Sequence, residues 1–172
     1  YYVFPGACHN RFEHSLGVSH LATQVIHNLA ASQKELGITK SDMRVVQLAG
    51  LCHDLGHAPF SHMFEYEFLP RVWNREQMKL HSHERMSTDM LDFIIEENGI
   101  DDYTKEEIER AKSMICSSLA GAGASRGGGL GDGKGFLKEI VANGRSGVDV
   151  DKFDYLERDC HYAGIKASCN FS

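Results

Sequence analysis

Positive charge is scarce in this sequence: 18 Lys and Arg face 24 Asp and Glu, a formal net charge of −6. That deficit argues against a broad basic footprint for duplex DNA and leaves room only for a local basic pocket. Long apolar runs are also missing, and none approaches the ~20 residues that a membrane-spanning helix needs. The five cysteines (Cys8, Cys52, Cys116, Cys160, Cys169) are odd in number and form no CxxC pair. This excludes a zinc ribbon or a disulfide framework and points to reduced intracellular thiols. Alternating β-branched strands bounded by turns are absent, so no sheet is expected. The first residue is Tyr1 rather than Met, and no charged-then-apolar leader follows. The expectation is a segment of a longer protein.

What is present is an ordinary globular mixture, 42% hydrophobic and 24% charged over 172 residues, enough to bury one core. Residues 1–172 are therefore expected to form a single domain or the core of one. Helical periodicity dominates. Leu16, Leu21, Val25, Ile26 and Leu29 recur near 3.6 residues over 15–36, with Gly37 as the stop. Ser41 is the expected N-cap of a second helix over 42–57. A short helix over 61–68 should follow Pro59 and end before Pro70. Residues 83–98 are amphipathic and stop at Asn98-Gly99. Thr104-Lys105-Glu106-Glu107 is a capping box for a helix through Leu119. A last pair covers roughly 135–143 and 149–163. The fold class is all-α.

Eight glycines crowd the segment 121–135, GAGASRGGGLGDGKG, which should be a flexible surface loop. Gly128-x-x-x-x-Gly133-Lys134 imitates a phosphate-binding loop, but Gly135 stands where a magnesium-binding hydroxyl belongs and no apolar strand precedes it. The match is rejected as coincidence in a glycine-rich stretch.

Histidine is abundant, with ten in the chain and five of them between His53 and His83. The strongest local signal is His53-Asp54-Leu55-Gly56-His57, at the end of an apolar run. Imidazole nitrogen and carboxylate oxygen both suit zinc, iron or manganese. On a continuous helix, His53 and His57 would share a face, with Asp54 about 100° away. A histidine complementing a helix C-terminus explains one such residue; His53, Asp54, His57 and His62 together favour a metal site. Further donors occur in Arg11-Phe12-Glu13-His14 and in Asp149-x-Asp151-Lys152-x-Asp154-Tyr155.

The pattern His14 … His53-Asp54 … Asp151 resembles the signature of the HD-domain metal-dependent phosphohydrolases. The segments YYVFPGACHNRFEHSLGVSHLA, QLAGLCHDLGHAPFSHMFE and NGRSGVDVDKFDYLERDCHYAGI are similar to the eukaryotic deoxynucleoside triphosphate triphosphohydrolases that join a SAM domain to an HD domain. The resemblance implies an HD-domain helical bundle and hydrolysis of dGTP and other dNTPs to deoxynucleoside and inorganic triphosphate, a reaction that controls the dNTP pool. It implies His14, His53, Asp54 and Asp151 as ligands of a divalent metal (iron, zinc, manganese or magnesium). His57, His62, Glu65 and His83 become the catalytic group, with His62 as the acid for the leaving 5′-oxygen and Glu65 as a carboxylate orienting a histidine. A solvated Glu65 on a short amphipathic helix is the competing reading. Arg11, Lys152, Tyr155 and Asp159 become substrate contacts, Asp159 at the sugar 3′-hydroxyl and Tyr155 against the deoxyribose. Arg158 reads as a surface charge, and His9, His20, His27, His81 and His161 match nothing functional. The implied partners are a deoxynucleoside triphosphate, further copies in the full-length protein and weakly bound single-stranded nucleic acid, with no membrane and a nuclear location. Two other functions compete: a different HD-type phosphodiesterase or nucleotidase, and a non-catalytic nucleotide- or nucleic-acid-binding module. Asp151-Lys152-x-x-Tyr155-x-x-x-Asp159 favours the triphosphohydrolase.

Overall fold

The computed structural model describes residues 2–116 and 133–166. Among these there is helix and no strand, as the missing alternation predicted. The helices are α1 (Arg11–Ser32), α2 (Lys40–Cys52), α3 (Leu69–Val72), α4 (Arg75–Leu80), α5 (His83–Asn98), α6 (Lys105–Ile115), α7 (Lys138–Val141) and α8 (Val150–Ala163). The glycine-rich loop and the end of the helix predicted through Leu119 fall largely outside the described residues.

The core forms where α1 lies along α2, α6 backs α2, and α8 crosses α1. Val18, Ala22 and Ile26 of α1 meet Val45, Val46 and Ala49 of α2, with Met114 and Ile115 of α6 and Val141 of α7 completing the cluster. Each fully buried large aliphatic side chain stabilises the bundle by about 1.5–3 kcal/mol. Leu16, chosen by periodicity, is 48% exposed, and Val18 takes the core position instead.

Local chemistry sets most helix starts. Asn10 caps α1 by accepting from the Glu13 N–H, and Asp149 caps α8 by accepting from the Lys152 N–H at 3.0 Å. The Thr104–Glu107 capping box opens α6 as predicted. Ser41 does not cap α2. Thr39 does, in a reciprocal box with Asp42, and the Ser41 hydroxyl donates instead to Glu107 at 2.9 Å. Asp42, 1% exposed, also receives Arg110 and, at 2.8 Å, the Lys134 ammonium. Lys134 therefore commits its charge to a buried carboxylate of α2.

Two further expectations fail for physical reasons. Helix 61–68 does not end before Pro70: a π-helical turn over Phe64–Phe68 runs into α3, where Pro70 falls in the first turn and its missing N–H costs nothing. Helix α4, Asn74-capped, lies in a stretch that had been given no element.

The third correction concerns the site. α2 stops at Cys52 rather than 57, so His53 is its C-cap and Asp54–His57 form a turn. The turn is pinned to α5: the Gly56 N–H donates to the Ser87 hydroxyl at 2.9 Å, and the carbonyls of His53 and His83, at 2.7 and 2.9 Å, share that hydroxyl's single proton. A Cβ on Gly56 would lie 2.2 Å from the His83 carbonyl oxygen and 2.3 Å from the Ser87 nitrogen. Both are backbone and cannot step aside. Gly56→Ala should therefore lower stability by about 1–3 kcal/mol or more in urea unfolding, as overpacking does. An unchanged midpoint would show that the turn does not press on α5.

Candidate metal centre and catalytic cavity

Three elements bring the donors together: the first turns of α1 and α8, and the turn after α2. His14 Nε2 lies 3.0 Å from Asp151 Oδ1 and 3.6 Å from Asp54 Oδ2. His53 Nε2 lies 3.3 Å from Asp151 Oδ1 and 3.4 Å from Asp54 Oδ1. Four donors thus surround one small volume, although His14 and Asp151 are 137 residues apart in the chain.

Each imidazole is held by its other nitrogen. His14 Nδ1 donates to Asp154 at 2.7 Å, and His53 Nδ1 donates to the Gly50 carbonyl at 2.9 Å. These bonds fix the tautomer and turn both Nε2 lone pairs inward, as ligating histidines require. Asp154, 7% exposed, is itself clamped by Arg158 through bonds of 2.9 and 2.8 Å. Arg158 is therefore not a free surface charge. Asp154 and Arg158 stand four apart on α8, a spacing that allows the pair, but nothing local in the sequence marks its target on α1.

The electrostatics favour a cation. Burial alone would lower the His14 pKa, but hydrogen bonds to Asp151 and Asp154, with the charges of Asp151 and Asp54, raise it from 6.5 to about 9. His53 is raised against its burial by Asp151 and Asp54. Burial pushes the Asp54 and Asp151 carboxyls up, yet the surrounding imidazoles, and Arg11 at Asp54, hold both below the usual range. Two imidazoles and two ionised carboxylates suit a divalent transition ion with positions open for water or phosphate oxygen.

A second group of imidazoles lies alongside. The His57 and His83 rings stack at 4.0 Å and 9°, and His62 stands edge-on to both. His57 Nε2 reaches Asp54 Oδ1 at 3.4 Å, linking the two groups. Glu65 is buried, 7% exposed, and its Oε2 accepts from His83 Nδ1 at 2.8 Å. The solvated reading of Glu65 is thereby overturned, and the histidine it orients is His83 rather than its helix neighbour His62. The π-helical turn makes this register possible: Glu65 points in while Tyr66, next in sequence, stacks on His62 at 5.5 Å and 4°. Phe60 and Ser61, just before, have φ of 64° and 50°. Left-handed backbone at non-glycine residues is strained and belongs to tightly determined segments.

Both groups open on a cavity of about 770 Å³, of the size that small-molecule ligands occupy. Every predicted site residue lines it except Glu65, which stands behind His83. Arg11 spans from Asp54 to the Ser61 hydroxyl. The Lys152 ammonium donates to the Gly147 carbonyl at 2.6 Å. His9, dismissed on sequence, also lines the cavity, stacked on Tyr162 with Nε2 2.6 Å from Asp159. His20 and His27 are exposed on α1, away from it.

Fold and donor set define a class: all-α proteins whose bundle carries a histidine–aspartate centre suited to a divalent metal. The HD domain family model matches residues 11–159, from the first residue of α1 into α8, and the chain belongs to that family. It is 47% identical over 182 aligned positions to the deoxynucleoside triphosphate triphosphohydrolase SAMHD1 of Bos taurus, covering 99% of this chain and 30% of that protein. Against the Homo sapiens protein of the same name the identity is 46% over 181 positions, 99% of this chain and 28% of the relative. The Dictyostelium discoideum SAMHD1 homolog is 44% identical over 170 positions, again 99% of this chain and 30% of the relative. The chain thus spans a little under a third of the length of these curated relatives. No helix among the described residues is long and apolar enough to cross a membrane.

Metal affinity should follow the His14 proton. Ligation needs neutral imidazole, whereas the metal-free centre keeps His14 protonated up to about pH 9. Protonation therefore stabilises the metal-free fold fully below about 6.5, and that contribution is lost as pH rises through 9. Binding below pH 9 displaces at least one proton, so Mn²⁺ affinity should rise about tenfold per pH unit between 7 and 8.5. Calorimetric titration reads this directly; a flat Kd over that range would contradict it.

Proposed function

We propose that this chain is the core of a metal-dependent deoxynucleoside triphosphate triphosphohydrolase, releasing deoxynucleoside and inorganic triphosphate, and that residues 1–172 act as one phosphohydrolase unit. The observation that carries the reading is the adjacency of two different histidine groups in one cavity: His14, His53, Asp54 and Asp151 for a divalent ion, and His57, His62 and His83 beside it. The names of the relatives support the substrate class. From the family resemblance alone, a nuclear location is proposed for the whole protein.

His14, His53, Asp54 and Asp151 would hold the ion. When bound, it supplies Lewis-acid polarisation of a phosphate oxygen and a more acidic water. The remaining roles belong to the chain. Arg11 and Lys152 neutralise the polyphosphate, Arg11 with a planar fork and Lys152 with a point charge. His57 sits between the metal ligand Asp54 and the His83 ring, where it contacts the α-phosphate. Glu65 fixes His83 by holding Nδ1–H and leaves Nε2 toward the cavity. His62 protonates the departing 5′-oxygen. Burial lowers its pKa first, and the neighbouring His57 and His83 charges lower it further. The empty site therefore disfavours the imidazolium, and the acid role draws on the charge of the bound polyphosphate to place a proton there. The Tyr155 ring lies beside C2′ and excludes a ribose hydroxyl, while Asp159, one helical turn on, accepts from the 3′-hydroxyl.

Incubation with dGTP and Mn²⁺ should give deoxyguanosine and triphosphate; pyrophosphate or orthophosphate would point to a different HD-type hydrolase. His62→Ala should slow turnover by about 10²–10⁴-fold with little change in nucleotide Kd, since the proton moves only as the bond breaks. Unchanged turnover in this variant would assign the acid to another histidine.

A further inference from the structure

Asp159 is poorly placed to act alone. Its carboxylate is 62% exposed, and a solvated aspartate at a helix surface has several rotamers of similar energy. One contact fixes it: His9 Nε2, 2.6 Å from Oδ1. His9 is fixed in turn, its ring stacked on Tyr162 at 4.7 Å and 23°, and its side chain only 20% exposed. Tyr162 is tethered by its hydroxyl, which donates to Glu13 at 2.7 Å, and Glu13 lies 3.9 Å from Arg158. The chain of contacts thus runs from the buried Asp154–Arg158 pair to a wall of the cavity and ends on Asp159. It also bridges the segment before α1 to the last turns of α8, 150 residues apart. His9 Nδ1 is buried and has no hydrogen-bond partner, so only Nε2 is engaged.

We propose that His9 is a specificity-determining positioning residue: by donating from Nε2 it holds the Asp159 carboxylate in the one orientation that accepts a hydrogen bond from the substrate's sugar 3′-hydroxyl. This rests on the reading of Asp159 as the sugar contact given above. Oδ1 takes the His9 proton, and Oδ2 is left to accept from the ligand. Without His9, Asp159 swings into water, and discrimination between a sugar with and without its 3′-hydroxyl is lost. Metal binding and the phosphate contacts stay intact, because neither His9 nor Asp159 touches the His14–His53–Asp151 cluster.

The experiment compares the Mn²⁺-loaded full chain binding dGTP and 2′,3′-dideoxy-GTP, which differ only in the 3′-hydroxyl. The His62→Ala background is used so that the ligand survives the titration. With His9 present, the dideoxy nucleotide should bind about tenfold or more weakly, the value of a hydrogen bond to a charged acceptor. Asp159→Ala should bring that ratio close to one, and His9→Ala should do the same by weakening dGTP while leaving dideoxy-GTP unchanged. His9→Gln, which returns an N–H near the Nε2 position, should restore part of the ratio; His9→Phe, which keeps only the ring on Tyr162, should not. If His9→Ala or His9→Phe weakens both nucleotides equally, or keeps the full ratio, His9 is a wall and the proposal falls while Asp159 stands. If Asp159→Ala itself leaves the ratio unchanged, or the background protein shows none, the sugar contact is wrong and the proposal falls with it.

Discussion

The site depends on α1 and α8 closing against one another through a buried histidine–aspartate bond. His14 Nδ1 donates to Asp154 at 2.7 Å, and Arg158 clamps the same carboxylate from the next turn of α8. A side chain at Gly17 would have to displace that clamp: a Cβ there would lie 1.8 Å from Asp154 Oδ1 and 2.3 Å from Arg158 Nη2. Helices that approach this closely bring their first turns together, and those turns carry His14 and Asp151. Breaking the bond would release the His14 tautomer, leave a buried carboxylate paired only with Arg158, and separate two of the four donors.

Charge follows from that closure. Asp54, Asp151 and Asp154 crowd around His14, and even burial does not prevent it from becoming strongly basic. A group that binds a proton this firmly without a metal is a group that favours a cation of any kind. Arg11 meets Asp54 at the cavity side of the same cluster, so positive charge at the cavity wall is anchored by the carboxylates around His14. An overall charge of −6 is therefore compatible with fixed positive charge inside the cavity.

What could be read from the sequence was local in its causes. The Thr104–Glu107 box and the Gly99 stop act within a few residues, and each forms as read. The four candidate metal donors could be picked out because their types and spacing resemble a known pattern, and the fold brings them together. The end of α2 was not legible, since Leu51, Cys52 and Leu55 continue the apolar period; it is decided by Gly56 meeting Ser87 on α5. Thr39 rather than Ser41 caps α2 because Asp42, three residues on, closes a capping box with it, a local signal that the choice of Ser41 passes over. Spacing alone leaves Glu65 between an orienting carboxylate and a solvated one; its burial beside His83, within a π-helical turn, decides for the first. His9 carried no motif at all, and its place is set by Tyr162 at the far end of α8.

The central claim is that His14, His53, Asp54 and Asp151 hold one ion, while His57, His62 and His83, which could also gather round a metal, are left for chemistry. X-ray absorption on the chain loaded with one equivalent of Co²⁺ separates the two directly. The account predicts two imidazoles per ion, with carboxylate oxygen completing the shell. Three imidazoles per ion, or the two-imidazole signal persisting after His53→Ala and Asp54→Ala are combined, would contradict it.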